Sequence, residues 1–448
     1  MILIVKKKSH EQANFLNRFY FPVLFFILIQ PYISNVMFFF LSTLDLLFHL
    51  LTHKKNLFQI IRNSYIQFLF CFLLFGTIIG VINFYSNNIS IRDFFRDFYY
   101  HLSPIILISL ACCYAKEKID INRIFYSIIL GATILSSIYI FSALPSLSLL
   151  LSSSSANAWR SISGNGLIIS TIAIPLLLFS SKWDNQKKPF LGFKWLALLI
   201  CSAYFMISLS RTNLIIMIIV LICFLFSKKN HILIIKCLFA FLLFIIAFLL
   251  ILPRAVTTNY IQKILASLTE ISPLNNWANQ STIQSNWRGY ETYCAIQEWK
   301  GYDFVSKIIG KGFGKRIFVG DLSVLVDENS NKGVEAGTIP VLHNGYSTML
   351  VKLGILGVLL YLAYYLKLIK FSISMAKKSK NINAFYYRLL LGVSLSLTIM
   401  TVFLNGLFKE NSFYPLLLII GIFSSKSFQK KKIVILPTRP LRLLSGHL

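Results

Sequence analysis

Charge is what this sequence has least of. Lys, Arg, Asp and Glu make up 13% of its 448 residues, where an ordinary soluble domain carries about a quarter. Acidic residues are the scarcer half, 16 against 44 basic ones. A soluble chain of this length needs a charged exterior, and this one cannot supply it. With 56% hydrophobic residues and a mean hydropathy of +0.69, much of the surface must be solvated by lipid. Cysteine patterning is also lacking: Cys71, Cys112, Cys113, Cys201, Cys223 and Cys237 lie in or beside apolar runs, and only Cys294 falls in a polar segment. That excludes a disulfide framework, and no metal-ligand spacing occurs. The net charge of +28 does not point to nucleic acid, because Lys and Arg sit in short clusters between apolar runs and not along one amphipathic face. An Ala-x-Ala-like cleavage site is missing after Lys6, Lys7 and Lys8, so the first apolar stretch reads as a retained helix.

What is present is a series of apolar runs long enough to cross a hydrocarbon core, which takes about 20 residues. Spans are predicted near 15–30, 34–51, 64–84, 98–115, 123–144, 164–181, 195–210, 212–227, 232–252, 345–366, 385–405 and 412–425. The expected architecture is an all-α polytopic membrane protein of about 12 transmembrane helices with one large, partly helical periplasmic loop. Residues 1–252 form an N-terminal transmembrane region, 253–344 the loop, 345–425 a C-terminal transmembrane region and 426–448 a basic cytoplasmic tail. Orientation follows from the basic clusters. Lys54, Lys55 and Arg62, then Lys182, Lys187, Lys188 and Lys194, then Lys377, Lys378 and Lys380 all fall on one side. Positive charge near short loops marks the cytoplasmic side, which places both termini there.

Three segments on the other side carry more than connection. Ile91 to Tyr100 sets Asp93 and Asp97 four apart beside a run of aromatics, which suits either a helix lying at the lipid–water interface or the extended end of a span. Gly310-Lys-Gly312-Phe-Gly314 lacks Walker spacing, and reads as a turn before a buried Phe313 or as a contact for a lipid-linked phosphate. The 253–344 loop has helix-compatible spacing over 257–270 and 286–300, and a loop of that length without a purpose is uncommon. On the same side, Arg211 stands at a turn between spans, Arg288 stands three residues before Glu291, and His343 stands where the chain re-enters the membrane. Arg211 reads either as a headgroup-reaching or a cavity-facing arginine, Arg288 as a substrate contact or a helix partner of Glu291, and His343 as a general base or a structural histidine.

Taken in order, Ser210-Arg211, Arg288-Gly-x-Glu291, Gly310-x-Gly-x-Gly314, His343-Asn-Gly-Tyr346 and Gly354-Ile-Leu-Gly357 resemble the bacterial O-antigen ligase and O-antigen polymerase superfamily, over about residues 205 to 365. The resemblance implies inverting glycosyl transfer from undecaprenyl diphosphate at the outer face of the inner membrane, with no cofactor, metal or nucleic acid. It implies His343 as the base, and Arg211, Arg288, Glu291, Asn344 and Tyr346 as residues that hold diphosphate or glycan. The partners it implies are the lipid-linked glycan and membrane lipids, with room for a chain-length regulator. Richness in Phe, Ile, Lys and Asn favours a polymerase over a ligase. A polysaccharide-unit flippase would share the span number but would place its site near the midplane on interrupted helices.

Overall fold

The computed structural model describes residues 19–53, 55–85, 89–116, 120–146, 167–183, 191–225, 239, 254–269, 277, 280–320, 336–408 and 413–425. Its elements are helical apart from one short ribbon. Helices α1 (Phe21–Ile29), α2 (Asn35–Thr52), α3 (Lys55–Ile61), α4 (Ser64–Ile82), α5 (Ile91–Lys116) and α6 (Ile121–Ala143) lead into α7 (Ile168–Leu178), α8 (Leu191–Ile207) and α9 (Arg211–Leu225). The long polar segment contributes α10 (Arg254–Thr269), α11 (Gln280–Ser285), α12 (Trp287–Lys300) and α13 (Phe304–Ile309), and the strands β1 (Ile317–Phe318) and β2 (Thr338–Ile339). Helices α14 (Gly345–Lys378), α15 (Asn381–Leu404) and α16 (Tyr414–Ser424) complete the bundle.

Starts are capped by short polar side chains: Ser34 accepts from the Met37 amide, Asn63 from Tyr65 and Asp120 from Asn122. Among the described residues, six helices are long and apolar enough to cross a membrane: α2, α4, α5, α6, α14 and α15. They coincide with the predicted spans at 34–51, 64–84, 98–115, 123–144, 345–366 and 385–405. The predicted spans at 164–181, 195–210, 212–227 and 412–425 fall on the shorter apolar helices α7, α8, α9 and α16. The first falls on α1, of nine residues; the one at 232–252 lies outside the described residues. The chain is thus a multi-pass helical membrane protein.

Which helices face lipid and which do not follows from their apolar faces. Helix α16 is buried along its whole length, as expected of a helix that is apolar all round. It lies against α5, where Gly421 leaves room for Ala111 and for the carbonyl of Ile108, and the Cys112 thiol donates to the Gly421 carbonyl at 3.2 Å. By contrast α2 and α4 expose Phe40, Phe48, Leu51, Phe70, Ile78 and Ile82, a surface suited only to acyl chains.

Two helices run further than the apolar runs suggest. Helix α5 is continuous from Ile91 to Lys116, so the Asp93–Asp97 stretch is the end of a span and not a separate interfacial helix. Both carboxylates are buried. Helix α14 has 34 residues and breaks at Gly354, whose φ of 63° and ψ of −166° are non-helical. Only glycine adopts that backbone readily, and the break lets the end of α13 lie against α14.

Candidate functional site

The polar segment has a small core of its own. Ala295 of α12, Ile317, Val319, Ile339 and Leu342 are buried together with Val351 of α14, and Trp287, Tyr290, Cys294 and Tyr302 pack around them. The two strands pair antiparallel, Ile317 with Ile339 and Phe318 with Thr338. This core holds α12 against the start of α14, which brings residues 291 and 343 together.

Glu291 is fully buried, and its carboxylate is surrounded by donors. The His343 amide reaches Oε2 at 2.8 Å, His343 Nδ1 lies 3.0 and 3.1 Å from the two oxygens, and the Trp287 indole N–H donates to Oε1 at 2.6 Å. A carboxylate accepts and cannot donate, so it places the imidazole proton on Nδ1. Nε2 then carries the lone pair on the far edge of the ring, and the His343 side chain is 28% exposed. The backbone is fixed from the other side as well. Asn405, in the left-handed conformation with φ of 62° after α15, donates its amide to the His343 carbonyl at 2.7 Å. A histidine tied by amide, carbonyl and Nδ1, with only Nε2 left to act, has the geometry of a general base with an orienting carboxylate.

The other predicted residues take varied positions. Asn344 caps α14 by accepting from the Tyr346 and Ser347 amides, and its amide group donates to Thr292 Oγ1 at 3.3 Å. The Tyr346 hydroxyl donates to the Thr398 carbonyl at 3.0 Å and its ring packs on Tyr361, so it joins α14 to α15. Arg288 is half-buried in the first turn of α12, its carbonyl accepting from Thr292 Oγ1 at 2.9 Å. Glu291 is committed to His343 and Trp287 and not to Arg288. Arg211, also half-buried, opens α9 and is not a partner of the Glu291–His343 pair.

The glycine loop settles in favour of the turn reading. The Gly310 amide donates to Ser306, Lys311 to Val351, Gly312 to Lys352 and Phe313 to Gly76, all on carbonyls, while Gly314 donates to Asp97 Oδ2 at 2.7 Å. None of these amides is left for a phosphate. Phe313 is fully buried, its ring 4.3 Å from that of His101. A Cβ on Gly312, with φ of 86°, would run into the backbone of Gly80.

Sequence reasoning missed the charges that mount this assembly. Lys352, buried in α14, donates to Asp97 Oδ2 at 2.5 Å and to the Pro340 carbonyl at 2.7 Å. One turn away, Asp93 receives Arg96 at 2.6 Å and Arg316 at 3.3 Å, and Arg316 also donates to both oxygens of Thr338. The two acids therefore hold the Gly314–Arg316 turn directly and, through Arg316 and Lys352, the Thr338–Pro340 stretch. The signal was available: a lone lysine in an apolar run is costly and seeks a buried partner.

Cys294 gives a check on the α12 packing. Burial, more than any neighbouring charge, pushes its thiol up to about 11. At neutral pH its thiolate fraction is small, so alkylation by maleimide is expected to be at least about a hundredfold slower than for a free cysteine. Mass spectrometry of time-quenched samples would measure this; labelling at the free-thiol rate would mean that α12 is not seated on α14.

The fold and site together define a multi-pass membrane protein that presents a carboxylate-oriented histidine where its polar segment meets the helix bundle. Residues 196–362, rather more than a third of the chain, match the family model described as O-Antigen ligase. The matched region takes in Arg211, Arg288, Glu291 and His343. No curated protein matches the chain.

Proposed function

We propose that the chain is a surface-polysaccharide polymerase that transfers a growing glycan from undecaprenyl diphosphate to a lipid-linked repeat unit, at the periplasmic face of the inner membrane. The observation that carries this is the Glu291–His343 pair, with Nε2 directed away from its carboxylate. In the reaction, Nε2 takes the proton of an acceptor hydroxyl as its oxygen attacks the anomeric carbon. The bond from that carbon to the diphosphate oxygen breaks, the configuration inverts, and the lipid diphosphate leaves with the bonding pair. Negative charge grows on the leaving group, and a guanidinium can accept it in bidentate fashion; Arg288 and Arg211 serve this role. Asn344 and Tyr346 act here through the placement of α14.

The reaction is testable with purified protein in liposomes supplied with undecaprenyl-diphosphate glycan. Release of undecaprenyl diphosphate together with longer glycan is expected; intact donor after prolonged incubation would end the transferase reading. The family match supports a second reading equally, ligation to lipid A-core. A deletion strain separates the two, since a single capped repeat unit on the core indicates a polymerase and bare core with long lipid-linked chains indicates a ligase. The orientation, with cytoplasmic termini, predicts that a periplasm-active reporter fused near Asn329 is active, and silence there would invert the topology.

A further inference from the structure

Among the described residues, helix α13 leaves an apolar face without a protein partner. Phe304, Val305 and Ile308 are 78%, 59% and 39% exposed, whereas Ser306 on the other face is buried. Three such side chains in one short helix of a water-facing segment would be unfavourable. Their surroundings say what covers them. The Ile308 carbonyl lies directly against Gly354, and the residues that follow on α14, Ile355, Leu356 and Leu359, are themselves exposed on a helix apolar enough to span a membrane. The two patches are continuous across the Gly354 break.

Depth points the same way. The chain leaving α13 passes through Gly310 and Gly312 to bury Phe313 beside Gly76. Gly76 stands about 9 Å along the axis of α4 from its end at Ile82, at ~1.5 Å per residue. The loop therefore descends below the end of a predicted membrane helix and returns. At its start are the residues that favour a headgroup boundary: Trp299, whose indole donates to the Lys307 carbonyl at 3.0 Å, exposed Lys300, and Tyr302 with Lys311 Nζ 5.2 Å above its ring.

We propose that α13 and the Gly310–Gly314 loop form a re-entrant element whose Phe304–Val305–Ile308 face is covered by the acyl chains of the adjacent leaflet. The polar segment is then seated in the bilayer and not held above it. This does not depend on the transfer reaction, so its test is independent of activity.

The test places a nitroxide at F304C in a chain whose seven native cysteines are replaced, reconstituted in nanodiscs of phosphatidylethanolamine and phosphatidylglycerol. Power saturation with oxygen and with a water-soluble nickel chelate reads its surroundings, with labels at L359C and K378C as the lipid and water references. An oxygen-to-nickel ratio close to that of L359C is expected. A ratio close to that of K378C would overturn the proposal, and so would dipolar broadening from a label on a second copy. Should the cysteine-free chain fail to fold, F304W in the native background takes its place. Its added fluorescence should be quenched by acyl chains brominated at a shallow carbon, and unquenched fluorescence would equally overturn the proposal.

Discussion

Replacing His343 with Ala is expected to slow glycan transfer by about 10²- to 10⁴-fold, the range that a positioned acid–base group contributes. The loss should appear in kcat with little change in KM, because Nε2 acts on a proton that moves only in the transition state. Glu291→Gln provides the sharper test. The glutamine keeps the volume of the buried side chain but can donate as well as accept, so it no longer dictates which imidazole nitrogen carries the proton. In triads of the Ser-His-Asp type, loss of the orienting carboxylate costs about 10⁴ in kcat, and a reduction of similar order is expected here. Both variants should remain folded, as judged by monodisperse elution in detergent, since Trp287, Asn405 and the α12 core still hold the segment. Long-chain ladders of wild-type intensity from His343→Ala cells would remove His343 from the chemistry. Normal ladders from Glu291→Gln alone would leave the base without its orienter.

Much of this architecture could be read from apolar runs, since a span of α2, α4 or α6 is long, uninterrupted and bounded by polar caps. The breaks and the tertiary pairings were harder. Gly354 looks like any other glycine in an apolar run; its positive φ exists because α13 lies against it. For the same reason the partner of Glu291 was not visible. Sequence spacing offers Arg288 one turn away, while the actual partner, His343, is 52 residues distant and meets it through the small core around Ala295 and Val351. His343 stood out by its residue type and its place at the membrane re-entry, but only the family resemblance chose the base reading over a structural histidine. Asn405 was not singled out in the sequence, since nothing local says that its backbone amide would hold the His343 carbonyl. Likewise Asp93 and Asp97 were seen as a pair on one helix face, but which charges they meet depends on how the glycine loop folds back over α4 and α5.

Those charges carry the second large effect. Lys352→Met should destabilise the protein by about 3–5 kcal/mol, the cost of leaving one member of a buried ion pair without its partner. Asp97 is 1% exposed and would keep only the Gly314 amide and the more distant Arg96, 3.9 Å away. Asp97→Asn should be costly for the converse reason, since the Lys352 ammonium would be left with the Pro340 carbonyl and a side-chain amide. The double variant removes both charges, and its loss is expected to be well below the sum of the single losses. That shortfall is the coupling between two residues 255 positions apart. Thermal unfolding of the detergent-solubilised variants would measure it; additive losses would mean that the two side chains do not meet. The same cycle bears on function through Pro340. Lys352 holds that carbonyl three residues before His343, so Lys352→Met should lower kcat even at temperatures where the variant remains folded. The double variant, which regains part of the lost stability but lacks the Pro340 bond, should stay slow. Full recovery of turnover along with stability would assign the pair to folding alone, whereas stability without turnover would assign Lys352 to the placement of the base.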